Sequence, residues 1–204
     1  MLSEKKTFKD LIKSNSKLLI GLSVILFLVI ITFLFLDYNN NKKKIKISEN
    51  YIDAKVFLSN KKYNESLKVL IKIINEKDKI YSPLSLFIIM DKNLEKDESN
   101  ILEYFNTVLS IRSLEKEDLN LLKLKKAIFV SSNSNEEDML NLLNPIINSK
   151  SVWRTQSIKF LGDYYFSTKE FKKSKQYYSE LLKEENLNMD KSDIERKMKL
   201  MKND

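Results

Sequence analysis

Between Lys17 and Asp37 the chain carries one unbroken apolar run, LLIGLSVILFLVIITFLFL from Leu18 to Leu36, whose only polar residues are Ser23 and Thr32. Nineteen helical residues at about 1.5 Å each span roughly 28 Å, close to the ~30 Å hydrocarbon thickness of a bilayer. The pattern predicts a membrane span over 18–36. A cleaved signal peptide has a shorter apolar core and a small-residue cleavage site. Here Asp37-Tyr38-Asn39-Asn40-Asn41-Lys42 follows, with no such site. A buried core helix fits less well, because no polar face interrupts the run.

Beyond the run the periodicity changes. Residues 37–48 (DYNNNKKKIKIS) are polar and basic and read as a short tether. Apolar residues then recur at helical spacing. Tyr51, Ala54, Phe57 and Leu58 share one face, Asn60-Lys61-Lys62 breaks the pattern, and Tyr63, Leu67, Leu70, Ile71 and Ile74 form a second face. This predicts two antiparallel helices joined by a tight turn. A third helix is expected over Pro83–Met90, with Ser82 as N-cap and Pro83 at its first position. Asp91 to Glu98 reads as a charged connection, and Ile101, Leu102, Phe105, Val108 and Leu109 mark a fourth helix.

Leu119, Leu122, Ala127, Phe129 and Val130 mark a fifth helix, broken at Asn133–Asn135. A short sixth carries Met139, Leu140, Leu142 and Leu143 and stops before Pro145. A seventh runs from about Val152 to Ser167, an eighth from Phe171 to Glu185, and residues 190–202 read as a last, mostly polar helix or tail. The domain boundaries are a basic segment at 1–17, the span at 18–36, the tether at 37–48, a helical domain at 49–189 and the tail at 190–204. Short links between helices taken in pairs point to an all-α fold: one transmembrane helix, then a solenoid of about four helix pairs.

Composition sharpens this picture. Only Gly21 and Gly162 are glycines, so phosphate-cradling glycine loops are excluded. The chain has no cysteine and no histidine. Disulfides, thiolate nucleophiles, histidine bases and the usual catalytic triads are therefore absent. An enzyme would need paired carboxylates or similar groups, and no such pair stands out. No enzymatic activity and no cofactor are expected.

The net charge is +8, but its distribution argues against nucleic acid. Residues 1–46 hold nine lysines against Glu4, Asp10 and Asp37, whereas the remaining 158 residues carry 27 basic and 25 acidic side chains. The excess flanks the span, where lysines meet anionic headgroups. Lys17 before the span and Asp37 after it favour an N-terminus inside the cell and the large domain outside the cytoplasm. Glu136-Glu137-Asp138 and Glu184-Glu185 are carboxylate clusters, the first suited to a helix N-terminus, and no calcium-loop pattern accompanies either.

The stretch from Ile158 to Leu182, IKFLGDYYFSTKEFKKSKQYYSELL, resembles a tetratricopeptide repeat. Leu161-Gly162 match that pattern's Leu-Gly, Tyr165 its first aromatic, Phe171 the aromatic opening the second helix, Ser174 the small position and Tyr178 the next aromatic. Small residues let two helices approach, and aromatics fill the groove between them. The first hairpin repeats the scheme: Ala54 for Gly162, Phe57 for Tyr165, Tyr63 for Phe171, Ser66 for Ser174 and Leu70 for Tyr178. From Tyr63 to Phe171 is 108 residues, leaving room for two degenerate units between them.

With Trp153-Arg154 ahead of Leu161-Gly162-Asp163-Tyr164-Tyr165, the whole arrangement resembles the YfgM-like ancillary subunits of the bacterial SecYEG translocon. The resemblance implies a single-pass inner-membrane protein with a periplasmic domain. It also implies association with SecYEG and a membrane-anchored prolyl isomerase, and a chaperone-like role in protein export. An envelope-assembly or cell-division coordinator built from such repeats is the alternative. In tetratricopeptide repeats the first helix of each pair faces the concave surface, which makes Gln156, Lys159, Asp163, Phe166 and Ser167 candidates for partner contact. Trp153 and Tyr165 are expected mainly in the core.

Overall fold

The computed structural model describes residues 16–131, 136–183 and 190–201. Its first helix, α1 (Ser16–Ser59), is 44 residues long, or about 66 Å. Every large apolar side chain described between Leu18 and Leu36 is at least 46% exposed. A helix apolar on all sides and buried against nothing needs an apolar solvent, and α1 is long and apolar enough to cross a membrane. The same helix runs on through residues 37–48, so the expected tether is a helical extension. Lysine and isoleucine tolerate the helix, and no glycine or proline interrupts it. Ile47 and Ala54, on the far part of α1, are buried in the domain.

The following helices are α2 (Tyr63–Asn75), α3 (Tyr81–Asp91), α4 (Glu98–Leu109), α5 (Lys116–Val130), α6 (Glu136–Ile147), α7 (Arg154–Ser167), α8 (Phe171–Leu182) and α9 (Ser192–Leu200). No strand occurs among the described residues. Consecutive helices pack together, and α1 also touches α3 while α2 touches α4. That is the contact pattern of stacked helix pairs, and it agrees with the expected all-helical solenoid. Two apolar cores meet at α5. Leu122 joins the core of α1–α4, while Leu124 and Ala127 join that of α6–α9.

One turn geometry recurs between the helices of a pair. After α1, Lys62 N–H donates to Phe57 O at 2.8 Å while Lys61 takes φ 57°. After α3, Leu94 N–H donates to Ile89 O at 2.9 Å with Asn93 at φ 50°. After α7, Glu170 N–H donates to Tyr165 O at 2.8 Å with Lys169 at φ 63°. These are Schellman caps. They align Phe57, Ile89 and Tyr165, which sets the register of a middle repeat whose sequence has lost the signature. Each cap places a non-glycine residue in the left-handed region, which an L-residue enters at a cost. Lys169→Gly is therefore expected to stabilise the domain by about 0.5–1 kcal/mol, read as a raised midpoint in urea unfolding.

The hairpins also share a side-chain bond. Ser66 Oγ donates to Ala54 O, and Ser174 Oγ to Gly162 O, each at 2.9 Å. In both, a buried hydroxyl on the second helix satisfies a first-helix carbonyl at the point of closest approach.

Several boundaries differ from the expected ones. The third helix starts at Tyr81, so Ser82 is not its N-cap and Pro83 is its third residue. Asp78 takes the capping role, its Oδ1 accepting from Ile80 N–H at 2.9 Å and Tyr81 N–H at 2.8 Å. Ser82 instead donates across to Ile73 O at 2.7 Å. The sixth helix continues through Pro145, because Ile146 and Ile147 beyond it are buried in the core. The seventh begins at Arg154, leaving Val152 exposed. The polar tail forms α9, pinned by fully buried Ile194 and Met201. The break at Asn133–Asn135 and the pair Glu184-Glu185 lie outside the described residues.

Candidate functional site

Helix α3 is apolar on both faces. Its buried side carries Ser82, Pro83, Ser85, Leu86 and Ile89. Its outer side carries Leu84, 39% exposed, with Phe87 and Ile88 half-buried. Leu86 and Ile89 point inward with the small residues, while Leu84, Phe87 and Ile88 make a second apolar face that is only partly covered. The inward serines let α2 and α3 approach closely, and Ser82 secures that approach through Ile73 O. Phe87 and Ile88 pack against the edge of the first core, and Leu84 is left open.

They form the floor of a cavity of about 730 Å³. Tyr51 of α1, Leu84, Phe87 and Ile88 of α3, Leu121 of α5 and Trp153 ahead of α7 line it. All these elements are, or lead into, the first helices of successive pairs. Tyr51 packs against Tyr81 with the rings tilted by 50° and 5.3 Å between centres, joining α1 to α3. A second cavity of about 230 Å³ shares Leu84, Phe87 and Leu121 and extends the groove towards Lys79 and Asp118. Asp91 and Lys125 bring the charge to the main cavity. Lys92, at 2.8 Å, holds the Asp91 carboxyl below the usual carboxylate range by hydrogen bonding and charge.

Trp153 is fixed by a polar latch. Its Nε1–H donates to Glu117 O at 2.9 Å. The Glu117 carboxylate accepts from Ser151 Oγ at 2.6 Å and Val152 N–H at 3.2 Å, and Asn120 donates to Ser151 Oγ at 3.1 Å. The indole is thus half core and half groove wall. With its polar handle satisfied, its ring offers the groove an apolar face.

The candidates read from α7 sit elsewhere. Gln156 and Ser167 are exposed, and the Ser167 hydroxyl donates to Tyr164 O at 2.7 Å. Lys159, Asp163 and Phe166 are engaged by α9. Asp163 accepts from Lys197 at 2.6 Å, from Tyr178 OH at 2.6 Å and from Lys159. Lys159 also lies 3.8 Å from Asp193, and Lys197 sits over the Phe166 ring. A sequence reading of α7 alone has no access to this cover, because α9 closes over it from residues 192–200.

Electrostatics match this docking. Burial is the largest single influence on Asp163 and pushes its carboxyl up. The hydrogen bonds from Lys159, Lys197 and Tyr178 outweigh it, and the net shift is downward. Lys197 and Arg196 lower Asp193 to about 2. Burial lowers Lys197, but its two carboxylate partners raise it overall. Depressed carboxyls contribute stability above their unfolded values, near 4, and lose it as pH falls towards their folded values. The raised ammonium contributes below about 10.5 and loses it above. Docking of α9 is expected to be complete between about pH 4 and 10 and to weaken towards pH 2, with hydrogen exchange of residues 192–200 as the readout.

The packing signature falls as follows. Ala54, Ser66, Leu161, Gly162, Tyr165, Ser174 and Tyr178 are buried, and Leu70 is fully buried in the place of Tyr178. Phe57 and Phe171 are half-buried, with Phe171 against Phe166 at 5.9 Å. Tyr63 is 52% exposed, because it opens α2 where no partner ring stands opposite. Tyr165 OH donates to Glu136 at the start of α6, and Lys173 reaches the same carboxylate at 2.8 Å. Glu136 thus ties α6 to α7 and α8. The hydrogen bonds from Lys173 and Tyr165 hold its carboxyl below the usual range.

Sequence reasoning overlooked the groove. The available signal was α3 itself, an 11-residue helix apolar on both faces, which has more apolar surface than one core contact uses.

Across 168 residues the chain is 27% identical to the ancillary SecYEG translocon subunit of Buchnera aphidicola subsp. Schizaphis graminum, covering 79% of this chain and 81% of that protein. The likeness drawn from Trp153-Arg154 and Leu161–Tyr165 therefore agrees with a similarity extending over most of the chain. No family model and no solved structure matches it.

Proposed function

We propose that this protein is a membrane-anchored, non-enzymatic adaptor, an ancillary subunit of the SecYEG protein-export translocon. In this reading Leu18–Leu36 crosses the inner membrane with the N-terminus in the cytoplasm. The helical domain stands in the periplasm and binds polypeptide in the groove of α1, α3 and α5. The observation that carries the binding role is the second apolar face of α3, where Leu84, Phe87 and Ile88 stay partly exposed at the cavity. The assignment to the translocon is supported by the similarity to the Buchnera protein.

The geometry suits weak capture of emerging chains. Tyr51 lies 15 residues beyond Leu36 on one helix, so the groove stands about 20 Å above the hydrocarbon boundary. Each apolar side chain that enters it gains about 1.5–3 kcal/mol of burial, from which the cost of ordering an extended chain is subtracted. Contacts of this strength exchange quickly. Anchoring beside the translocon compensates, because it raises the effective concentration into the millimolar range. The chaperone-like role then consists of shielding apolar segments until they fold.

The test is affinity purification from mildly solubilised native membranes after crosslinking in the cell. Enrichment of translocon subunits is expected, and a prolyl isomerase among them would support the finer partner implied by the resemblance. Enrichment of cell-wall enzymes without the translocon would replace this reading with an envelope-assembly coordinator. A photocrosslinker at residue 84 should capture exported polypeptides. Leu84→Asp should cut capture at a neighbouring groove position about tenfold, since loss of one apolar anchor costs about 1.4 kcal/mol or more. Leu84 is partly exposed, so thermal unfolding should barely change.

A further inference from the structure

The continuity of α1 fixes where the rest of the domain stands relative to the bilayer. Helix α2 runs back along α1, and its C-terminal end is tied to the membrane-proximal part of α1 by Lys43 Nζ to Glu76 Oε2 at 2.9 Å. A cavity of about 390 Å³ is lined there by Asp37, Lys43 and Lys44 of α1, by Lys77 and Lys79 of the α2–α3 turn, and by Ser113 of the α4–α5 turn. Asp37 is the residue immediately after the apolar run. Lys43 is six residues further, a rise of about 9 Å. The headgroup layer of one leaflet is about 5–8 Å deep. Asp37 lies within that layer and Lys43 at its outer edge, so the two turns that share the cavity with them face the headgroups.

Their charge is unbalanced. Lys42, Lys43, Lys44, Lys46, Lys77 and Lys79 are all exposed. Against them stand three carboxylates. Glu76 is paired with Lys43, Asp78 accepts the first N–H groups of α3, and Asp37 lies at the apolar boundary. Lysines beside a span are common, but Lys77 and Lys79 are more than 30 residues downstream, and folding alone brings them to this level.

We propose that the membrane-proximal end of the domain, Lys77 and Lys79 together with Lys42, Lys43, Lys44 and Lys46, docks on anionic lipid headgroups. Six ammonium groups on two elements joined by an ion pair, four of them within about 6 Å of rise along α1, meet a negative surface over a broad footprint. Docking keeps α1 upright and presents the groove of α1, α3 and α5 in one fixed orientation to the bilayer. The inference rests on Leu18–Leu36 spanning the membrane, and it does not depend on which side the domain occupies.

The absence of native cysteine makes the test direct. Full-length protein carrying a fluorophore on Ser113→Cys is reconstituted into two kinds of vesicle. One is phosphatidylcholine alone, the other phosphatidylcholine mixed equally with phosphatidylglycerol, and both contain the same nitroxide-headgroup quencher. Asn60→Cys, in the turn between α1 and α2 at the far end of the domain, serves as the distant control. Quenching at position 113 should be strong in the mixed vesicles and should fall towards the position-60 level in neutral ones. It should also fall in about 1 M salt, where the screening length is about 3 Å, and in the double variant Lys77→Glu, Lys79→Glu. Equal quenching at position 113 in both lipid compositions would overturn the proposal. So would a double variant that quenches as the parent does. Resistance to alkaline extraction, measured on the same vesicles, tests the span separately, so loss of anchoring is distinguishable from loss of docking.

Discussion

Gly162→Ala is expected to lower the unfolding free energy by about 1–3 kcal/mol, even though alanine is the better helix former by about 1 kcal/mol. A methyl group at residue 162 would lie 2.5 Å from Cε1 and 2.6 Å from Cδ1 of Tyr178. That ring cannot swing aside. It is fully buried, and its hydroxyl is bonded to Asp163 at 2.6 Å. The helices α7 and α8 must therefore separate, which also stretches the Ser174 Oγ to Gly162 O bond of 2.9 Å. Urea unfolding measures the loss. The first hairpin provides the control, because Ala54 is accommodated there opposite Leu70. If the ring is the obstacle, Tyr178→Leu should relieve the strain, and the double variant should lose less than the sum of the single changes. Strict additivity would show that Gly162 matters for another reason.

Asp163→Ala is expected to cost about 2 kcal/mol and to release α9. The carboxylate accepts from Lys159, Lys197 and Tyr178, and its removal leaves a buried phenol without its acceptor and weakens the hold on α9. About a third of the side chain is exposed, which keeps the loss below that of a fully buried ion pair. Hydrogen exchange should show residues 192–200 losing protection before the rest of the domain. Asp163→Asn keeps one oxygen acceptor and should lose less. Uniform loss of protection across α7, α8 and α9 would mean that Asp163 supports the whole last repeat and not α9 alone. Released α9 would also uncover Lys159 and Phe166, two of the five residues expected from the sequence to contact a partner.

Much of this architecture was legible in the chain. The span, the break at Asn60-Lys61-Lys62 and the Leu161-Gly162 packing point each depend on local pattern or on one pair of facing helices. The second repeat was not legible. Its Schellman cap at Asn93 and its alignment of Ile89 with Phe57 and Tyr165 are backbone features that leave no side-chain signature. The helical state of residues 37–48 was obscured for a different reason. Polar composition reads as a linker, yet continuity with a preformed helix on each side removes the cost of nucleation. Pro145 misled in the same way. Burial of Ile146 and Ile147 beyond it outweighs the missing hydrogen bond.

What the sequence determined by itself is the class of molecule: an apolar anchor, an all-helical domain, and no histidine or cysteine chemistry. These follow from composition and short-range periodicity, which every residue reports through its neighbours in the chain. Tertiary structure alone decided which surfaces stay open. It left Leu84, Phe87 and Ile88 partly open beside Trp153, and it covered Lys159 and Asp163 with α9. It also carried Lys77 and Lys79 to the level of Lys43. Exposure depends on which helices from distant parts of the chain pack over a residue, and periodicity assigns a residue to a face without saying what will cover that face.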